Sequence, residues 1–461
     1  MDKKQIEKLI KYALSLGVDF VELYFEETKL FYSQLSKDIV EDCNIKKTNG
    51  LGIRLSKNGV TCYSHTANYD YDNIIKIIDN LSSIYELEKK KVKFKLNRLK
   101  KAPKNKRAIH IEDYSVDKLK TLLKDGNLYA KGLDKDIKNV ELGVKNTHKN
   151  ITIANSIGTF TNEERFETRF VPVIYLEKNG KNVDGFESTY KVGGLEFFDK
   201  LNYKKAIKNS YVDAKRKMKS INIEGGLMPI ILDGGRGGTL FHEAVGHSLE
   251  ADAIARGQST FCDMIGKKIA SEVVTLIDDG TIKGLFGTTY FDDEGEKTRR
   301  NILIENGILK SYLVDRLNGE KLNMPSTGSS RRESYKFAPT SRMNNTYLDK
   351  GKDRVKDMIE SIDYGVFVYT LAGGQVDPET GDFTFGVGTA RLIEKGKLTK
   401  YISNITLIGK CNDVLHKVTM VSDDVGFRNG TCGASSGYAS VTDGNPTVKI
   451  SEILVGGKSD E

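Results

Sequence analysis

Nowhere in the 461-residue chain is there a run of about eighteen apolar residues, the length that a membrane-crossing helix needs. The opening Met1-Asp-Lys-Lys-Gln-Ile-Glu-Lys8 is charged and lacks the apolar centre of a secretion signal. These two absences predict a cytoplasmic protein with no membrane role. Cysteine is also scarce. Cys43, Cys62, Cys262, Cys411 and Cys432 are scattered without a paired framework, and the odd count argues against a disulfide-built secreted protein. Each is therefore free to serve as a thiolate ligand or a small buried residue. No nucleotide loop is complete: Gly234-Gly-Arg-Gly-Gly238 lacks both the Gly-Lys-Ser/Thr of a P-loop and the third glycine of a dinucleotide fingerprint. The net charge of +8 invites a nucleic-acid reading, but much of the excess lies between Glu88 and Arg107, a lysine-rich stretch typical of a solvated connector. With no base-reading motif beside it, no nucleic-acid partner is expected.

What is present is enough chain for two domains. Asp2 is placed to cap a helix carrying the stripe Ile6, Leu9, Ile10 and Ala13, with Gly17 as its stop. Alternating segments at Phe20 to Phe25, Phe31 to Leu35, Gly50 to Leu55 and Val60 to Tyr63 predict strands, the last two joined at Lys57-Asn58-Gly59. Helical spacing returns at Ile74, Ile77, Ile78 and Leu81 and again at Val116, Leu119 and Leu123, followed by strands between Val140 and Leu195. A lysine-rich helix from Asp199 to about Met218 leads to a boundary near Ser220. Beyond it Met228 to Leu232 is a short strand, the glycine cluster turns sharply, and Thr239 is the expected N-cap of the next helix. Strands and glycine turns then dominate, with one helix between Val355 and Ile362. The expected fold is α+β in two domains: residues 1–220 of mixed strands and helices, and residues 221–461 richer in sheet and carrying the motif described next.

That motif is His242-Glu-Ala-Val-Gly-His247. Two imidazoles and an adjacent carboxylate are the parts of a hydrolytic zinc site, two ligands and a base for water. Five residues apart on a regular helix, the rings diverge by about 140°. A π-bulge restores their register, and Gly246 stands where such a distortion would fall, glycine tolerating unusual backbone angles. A catalytic zinc wants a third protein ligand. Glu250, three residues after His247, and Cys432, a thiol between glycines in an expected loop, are nearly even candidates on chemistry alone. Possible oxyanion donors are His416, Tyr335, Arg331 and Arg332, although most polar residues in such loops serve turns and solvent instead. The glycine-flanked Gly373, Gly374 and Gln375, or the following Asp382 to Val387, are expected to line a cleft in which an extended peptide adds to a sheet edge.

Seven ordered blocks carry a wider resemblance. Besides the motif they include Asp278-Asp-Gly-Thr-Ile282, Gly287-Thr-Thr-Tyr-Phe-Asp-Asp-Glu-Gly295, Leu303-Ile-Glu-Asn-Gly-Ile-Leu309, Thr327-Gly-Ser-Ser-Arg-Arg-Glu-Ser-Tyr335, Ser341-Arg-Met-Asn-Asn-Thr-Tyr347, Gly373-Gly-Gln-Val-Asp377 and Gly430-Thr-Cys-Gly433. On these blocks the chain resembles the TldD/PmbA metalloproteases, and in particular the TldD-type subunit that bears the metal motif. The N-terminal half is similar only in the order of its strands and helices. The resemblance implies a zinc peptidase with one ion held by His242, His247 and Cys432, with Glu243 as base. It also implies peptide substrates and a dimer, either of identical chains or with a PmbA/TldE-like subunit. Ser248 departs from the small residue expected there. The alternative reading is a non-catalytic partner or adaptor with a vestigial site, against which the retained Glu243 speaks.

Overall fold

Side chains that alternate with a period of two shape the N-terminal half. The segments expected as two strands from Phe20 to Leu35 are one, Phe20–Ser36, paired antiparallel with Asn44–Lys57 on one side and Ile137–Asn155 on the other. Its polar middle carries little apolar signal, yet the hydrogen-bonded ladder runs through it unbroken. Phe160–Lys178, Val60–Thr66 and several shorter strands complete this sheet. The turn at Asn58 and Gly59 forms with φ of 51° and 75°, the two left-handed residues that a tight hairpin needs. These elements come from a computed structural model that describes residues 1–41 and 44–457; Cys43 lies outside the described residues.

Val21, Leu23, Phe31 and Leu35 alternate onto the face of the sheet that the helices cover. Lys3–Leu16 and Tyr71–Ser82 pack over one end of that face, Val116–Lys131 and Tyr203–Met218 over the other. Asp2 caps the first helix, its carboxylate accepting the Gln5 N–H at 2.8 Å, and Gly17 ends it at φ 117°. The opposite face of the sheet presents Glu22, Tyr24, Arg54 and Arg165 instead, and these meet the C-terminal half. Arg54 lies 2.8 Å from Glu22 and 2.5 Å from Glu294, Arg332 lies 2.6 Å from Glu22, and Arg165 lies 2.7 Å from Asp293.

From Gly226 onward the strands belong to other sheets. Gly226–Leu232 pairs in parallel with Tyr364–Val376 and antiparallel with Val448–Gly456, so the path through Asp382–Glu394 and Thr406–Lys410 returns on itself. Ile230, Leu232, Val366, Phe385 and Leu407 from this closed sheet pack with Leu240, Phe241 and Val245 of the motif segment in one core. A second sheet includes Leu276–Asp279, Asn345–Leu348, Gly437–Asn445 and, last in its order, Gly426–Ala434. The helix expected near Val355 is Val355–Glu360. Two further helices, Arg316–Leu322 and Cys411–His416, are too short to show a periodicity in sequence. The result is a mixed α and β, multi-domain architecture, as expected. No helix among the described residues is long and apolar enough to cross a membrane.

Candidate metal centre

The glycine cluster after Leu232 exists for close approach. Gly235 takes φ 78°, and a Cβ there would meet the Gly426 backbone at 2.6 Å; one on Gly238 would meet Gly444 at 2.8 Å. The turn thereby presses the start of the helix Gly238–Phe241 onto the two strands that carry Cys432 and Asp443. Thr239 is not the N-cap. Gly237 takes that position because the helix begins against the Gly444 backbone, and the Thr239 hydroxyl instead bonds to Asp443 Oδ2 at 3.1 Å.

His242–Gly246 forms a π-helical turn, closed by the His247 N–H donating to the His242 carbonyl. It brings the two imidazoles edge to face with 5.2 Å between centroids, the register that the five-residue spacing demanded. Gly246 contributes differently from expectation. Its φ and ψ of −56° and −50° are ordinary helical values, open to any residue. What demands glycine is Met343, whose Sδ would lie 2.0 Å from an added Cβ.

Cys432 stands on the strand Gly426–Ala434, opposite Ala439, and not in a loop. Its Sγ is 3.1 Å from His247 Nε2, and one ligand atom each from His242, His247 and Cys432 lies within 4.8 Å of the others. The remaining ring nitrogens face carboxylates: His247 Nδ1 is 3.1 Å from Glu250 Oε2 and His242 Nδ1 is 2.8 Å from Asp443 Oδ1. Glu250 is thus engaged on the far side of the His247 ring and is not one of the three converging groups. Glu243 lies on the open side, its Oε2 3.5 Å from His247 Nε2. Arg342 steadies the sulfur's strand by donating to the Cys432 carbonyl at 2.7 Å.

The electrostatics of the cluster favour a cation. Burial alone would raise the Cys432 thiol, but His242 and His247 beside it pull it down to about 5. Burial disfavours the charged form of His247, yet the Glu250 carboxylate and the Cys432 sulfur push it up to about 10. His242 is likewise held well above its ordinary value, against its burial, by Asp443. Burial raises the Glu243 carboxyl, with the two imidazoles opposing. His242 Nε2 is buried and without a protein hydrogen-bond partner, an orphan that a metal ion would satisfy. Two imidazoles, a thiolate and a carboxylate behind each ring fit a zinc-type ion.

A cleft of about 580 Å³ opens over the cluster, with Glu243, Cys432, Leu371, Ala372 and Gly373 in its wall. Of the three residues expected to hold substrate, Gly373 lines the cleft; Gly374 packs against the Phe385 ring, and Gln375 is exposed outside the lining. Tyr364–Val376 pairs with Gly226–Leu232 only at Val366 to Val368, so the Thr370 to Gly373 stretch has a free edge on the cleft side. The suggested oxyanion donors lie elsewhere. Arg331 donates to the Met343 carbonyl, Arg332 is engaged with Glu22, Tyr335 packs on Tyr24 and Ile151, and His416 is exposed at the end of a short helix. The basic side chains that do reach the cleft include Arg169, Arg236 and Arg428. Their strands and turns are distant in sequence, so no local pattern marks them.

Three family models match in sequence order: PmbA/TldA metallopeptidase domain 1 at residues 21–84, the central domain at 109–217 and the C-terminal domain at 225–457. A protein named metalloprotease TldD homolog from Buchnera aphidicola subsp. Acyrthosiphon pisum is 34% identical over 95% of this chain and 93% of its own length. The chain belongs to the PmbA/TldD metallopeptidase family. Another PmbA/TldD relative, named zinc metalloprotease TldD homolog, from Saccharolobus solfataricus, is 30% identical over 56% of this chain and 58% of its own. Two solved structures share the PmbA/TldD fold at 19% identity. A proposed modulator of a DNA gyrase from Thermotoga maritima gives a TM-score of 0.79, covering 98% of this chain and 99% of that one. TldE from Thermococcus kodakarensis gives 0.76, covering 98% and 100%.

Proposed function

We propose that this protein is a zinc-dependent peptidase acting on extended or unfolded peptides, with His242, His247 and Cys432 holding a single ion and Glu243 acting as general base. The observation that carries this reading is the approach of three ligand atoms to within 4.8 Å beside a carboxylate at the cleft. The zinc in the name of the Saccharolobus solfataricus relative supports the choice of metal. When bound, zinc supplies Lewis acidity to the attacking water and to the scissile carbonyl. Glu243 takes the proton from that water and returns it to the leaving amine. Asp443 and Glu250 each hold the outer nitrogen of one imidazole, fixing which nitrogen faces the cleft. The free edge from Thr370 to Gly373 offers main-chain pairing to an extended substrate, which selects for unfolded chains more than for side chains. Membership of the PmbA/TldD family carries the further reading of a dimer, with a second copy or with a TldE-like subunit. Four free thiols among the described residues suit a reducing cytoplasm.

Metal content and peptide hydrolysis of three purified proteins test the assignment. Wild type and Glu243→Gln are expected to retain zinc, only wild type to cleave, and Cys432→Ser to lose the ion. Wild type without metal would remove the enzyme, and equal occupancy in Cys432→Ser would remove the sulfur from the ligand set.

A further inference from the structure

A second cavity of about 600 Å³ lies beside the catalytic cleft, and Arg169 and Thr431 belong to the walls of both. Its floor is the open face of the N-terminal sheet, with Thr28 and Leu30, Lys46 and Thr48, Lys145 and Thr147, and Glu167 and Arg169 contributed by four neighbouring strands. The loop from Glu333 to Phe337 forms another side. Within this floor Lys145 and Arg169 stand directly opposite each other in the ladder. Like charges at facing positions destabilise a sheet unless something neutralises them. The chain does so only in part, through the charges of Glu167 and Glu333 at longer range than an ion pair. The neighbouring Glu167 accepts from the Ser440 hydroxyl and Glu333 from the Tyr438 N–H, and among the described residues neither Lys145 nor Arg169 has an ion-pair partner. The surrounding wall, and after it the Arg169 charge, pulls the Lys145 ammonium below its ordinary value, with Glu167 and Glu333 opposing.

Arg169 is also fixed in place. Its Nη2 donates to Thr431 Oγ1 at 3.1 Å, and its guanidinium lies 4.0 Å over the Phe286 ring. Thr431 is the residue before Cys432, so the like-charged pair begins one residue from the proposed sulfur ligand. Lys145 is exposed to the cavity, and what distinguishes it from an isolated surface lysine is a like-charged facing partner and a cavity that shares a wall with the cleft.

We propose that the second cavity is a carboxylate-binding subsite continuous with the cleft, in which Lys145 and Arg169 together grip an acidic group of the bound peptide. This rests on the cleft being the peptide site. The same chemistry serves an Asp or Glu side chain and a free C-terminus, and the peptides used can separate the two.

The test uses zinc-loaded full-length Glu243→Gln protein and dye-labelled peptides of one neutral sequence, with binding read by fluorescence anisotropy. One peptide ends in an amide, a second series keeps the amide and carries a glutamate at successive positions, and a third has a free terminal carboxylate. A carboxylate peptide is expected to bind about tenfold more tightly than the neutral amide, with the advantage shrinking as salt rises. Preference for a glutamate position assigns the subsite to acidic side chains, and preference for the free end assigns it to the terminus. Lys145→Met is expected to abolish the preference and Lys145→Arg to keep it. Equal binding of all three peptides, no binding of any, or a preference that survives in Lys145→Met overturns the proposal. Cleavage by the wild type, followed in parallel, keeps the two claims apart: selective binding without hydrolysis removes the peptidase and leaves the subsite, whereas hydrolysis without selection does the reverse.

Discussion

Gly246 shows how one residue is specified by its neighbour. The five-residue spacing of His242 and His247 makes the π-turn legible in sequence, because no regular helix brings those rings together. The reason for glycine is not legible, since it is the Sδ of Met343, ninety-seven positions away, that fills the space of a side chain. Gly246→Ala is therefore expected to cost about 1–3 kcal/mol by overpacking and to weaken metal retention. Adding Met343→Ala should restore part of the loss, and denaturant titrations of the two single variants and the double variant measure that coupling. Asp233 gives a pH prediction. Burial, and then the Asp424 carboxylate, raises its carboxyl to about 6. The unfolded chain releases that proton near pH ~3.9, so between these values the folded state holds more protons and stability falls as pH rises. Asp233→Asn removes the penalty. Its melting temperature is expected to exceed wild type at pH 7.5 and to match it at pH 4. The outer partners of the two imidazoles divide by the same logic: the sequence offers Glu250, three residues from His247, as a ligand and not as the ring's outer partner, and Asp443 reaches His242 only because two sheet strands lie under the helix.

Strands account for most of what an element-by-element comparison reveals. Hairpins with strong turn residues, such as Asn58-Gly59 and Asn179-Gly180, stand where their left-handed positions require. Strand lengths were harder to foresee, because a polar stretch inside Phe20–Ser36 hides a continuous ladder. Cys432 was expected in a loop for a related reason: its flanking glycines signal a turn, whereas here they lie in the strand that approaches the hairpin before Gly437. The cleft strand makes a prediction of its own. Ala372 is exposed in the cleft wall on the stretch with a free edge, and filling that position should obstruct an incoming peptide without touching the ligands. Ala372→Trp is expected to raise KM at least about tenfold with zinc content unchanged. Zinc loss in that variant, or an unaltered KM, would move the peptide path elsewhere.

At the scale of the whole molecule, buried charge joins the two halves, beside the smaller apolar contact of Tyr335 with Tyr24, Ile151 and Ile153. Glu22, Arg54, Arg165, Asp293, Glu294 and Arg332 are all nearly inaccessible or strongly shielded, and each finds an opposite partner across or beside the junction. In sequence they are six scattered ionisable residues with the look of ordinary surface, which is why Arg332 was entertained as an oxyanion donor. Replacing Arg332 with methionine would leave Glu22 buried with Arg54 as its remaining cationic partner. Such a broken buried pair costs about 3–5 kcal/mol, to be read from denaturant unfolding. Because Arg169 crosses from the first half to Thr431, loosening this junction should also disturb the cleft.

Gly426–Ala434 is the outermost strand of its sheet, hydrogen-bonded to a neighbour along one side, and it carries the sulfur. The helix bearing the imidazoles, by contrast, follows a strand gripped on both flanks. An ion shared between them would act as a rivet that fastens a loose hem to a fixed frame. Chelation would then be felt first as quickened amide exchange along Thr431 to Ala434, well before the frame itself gives way.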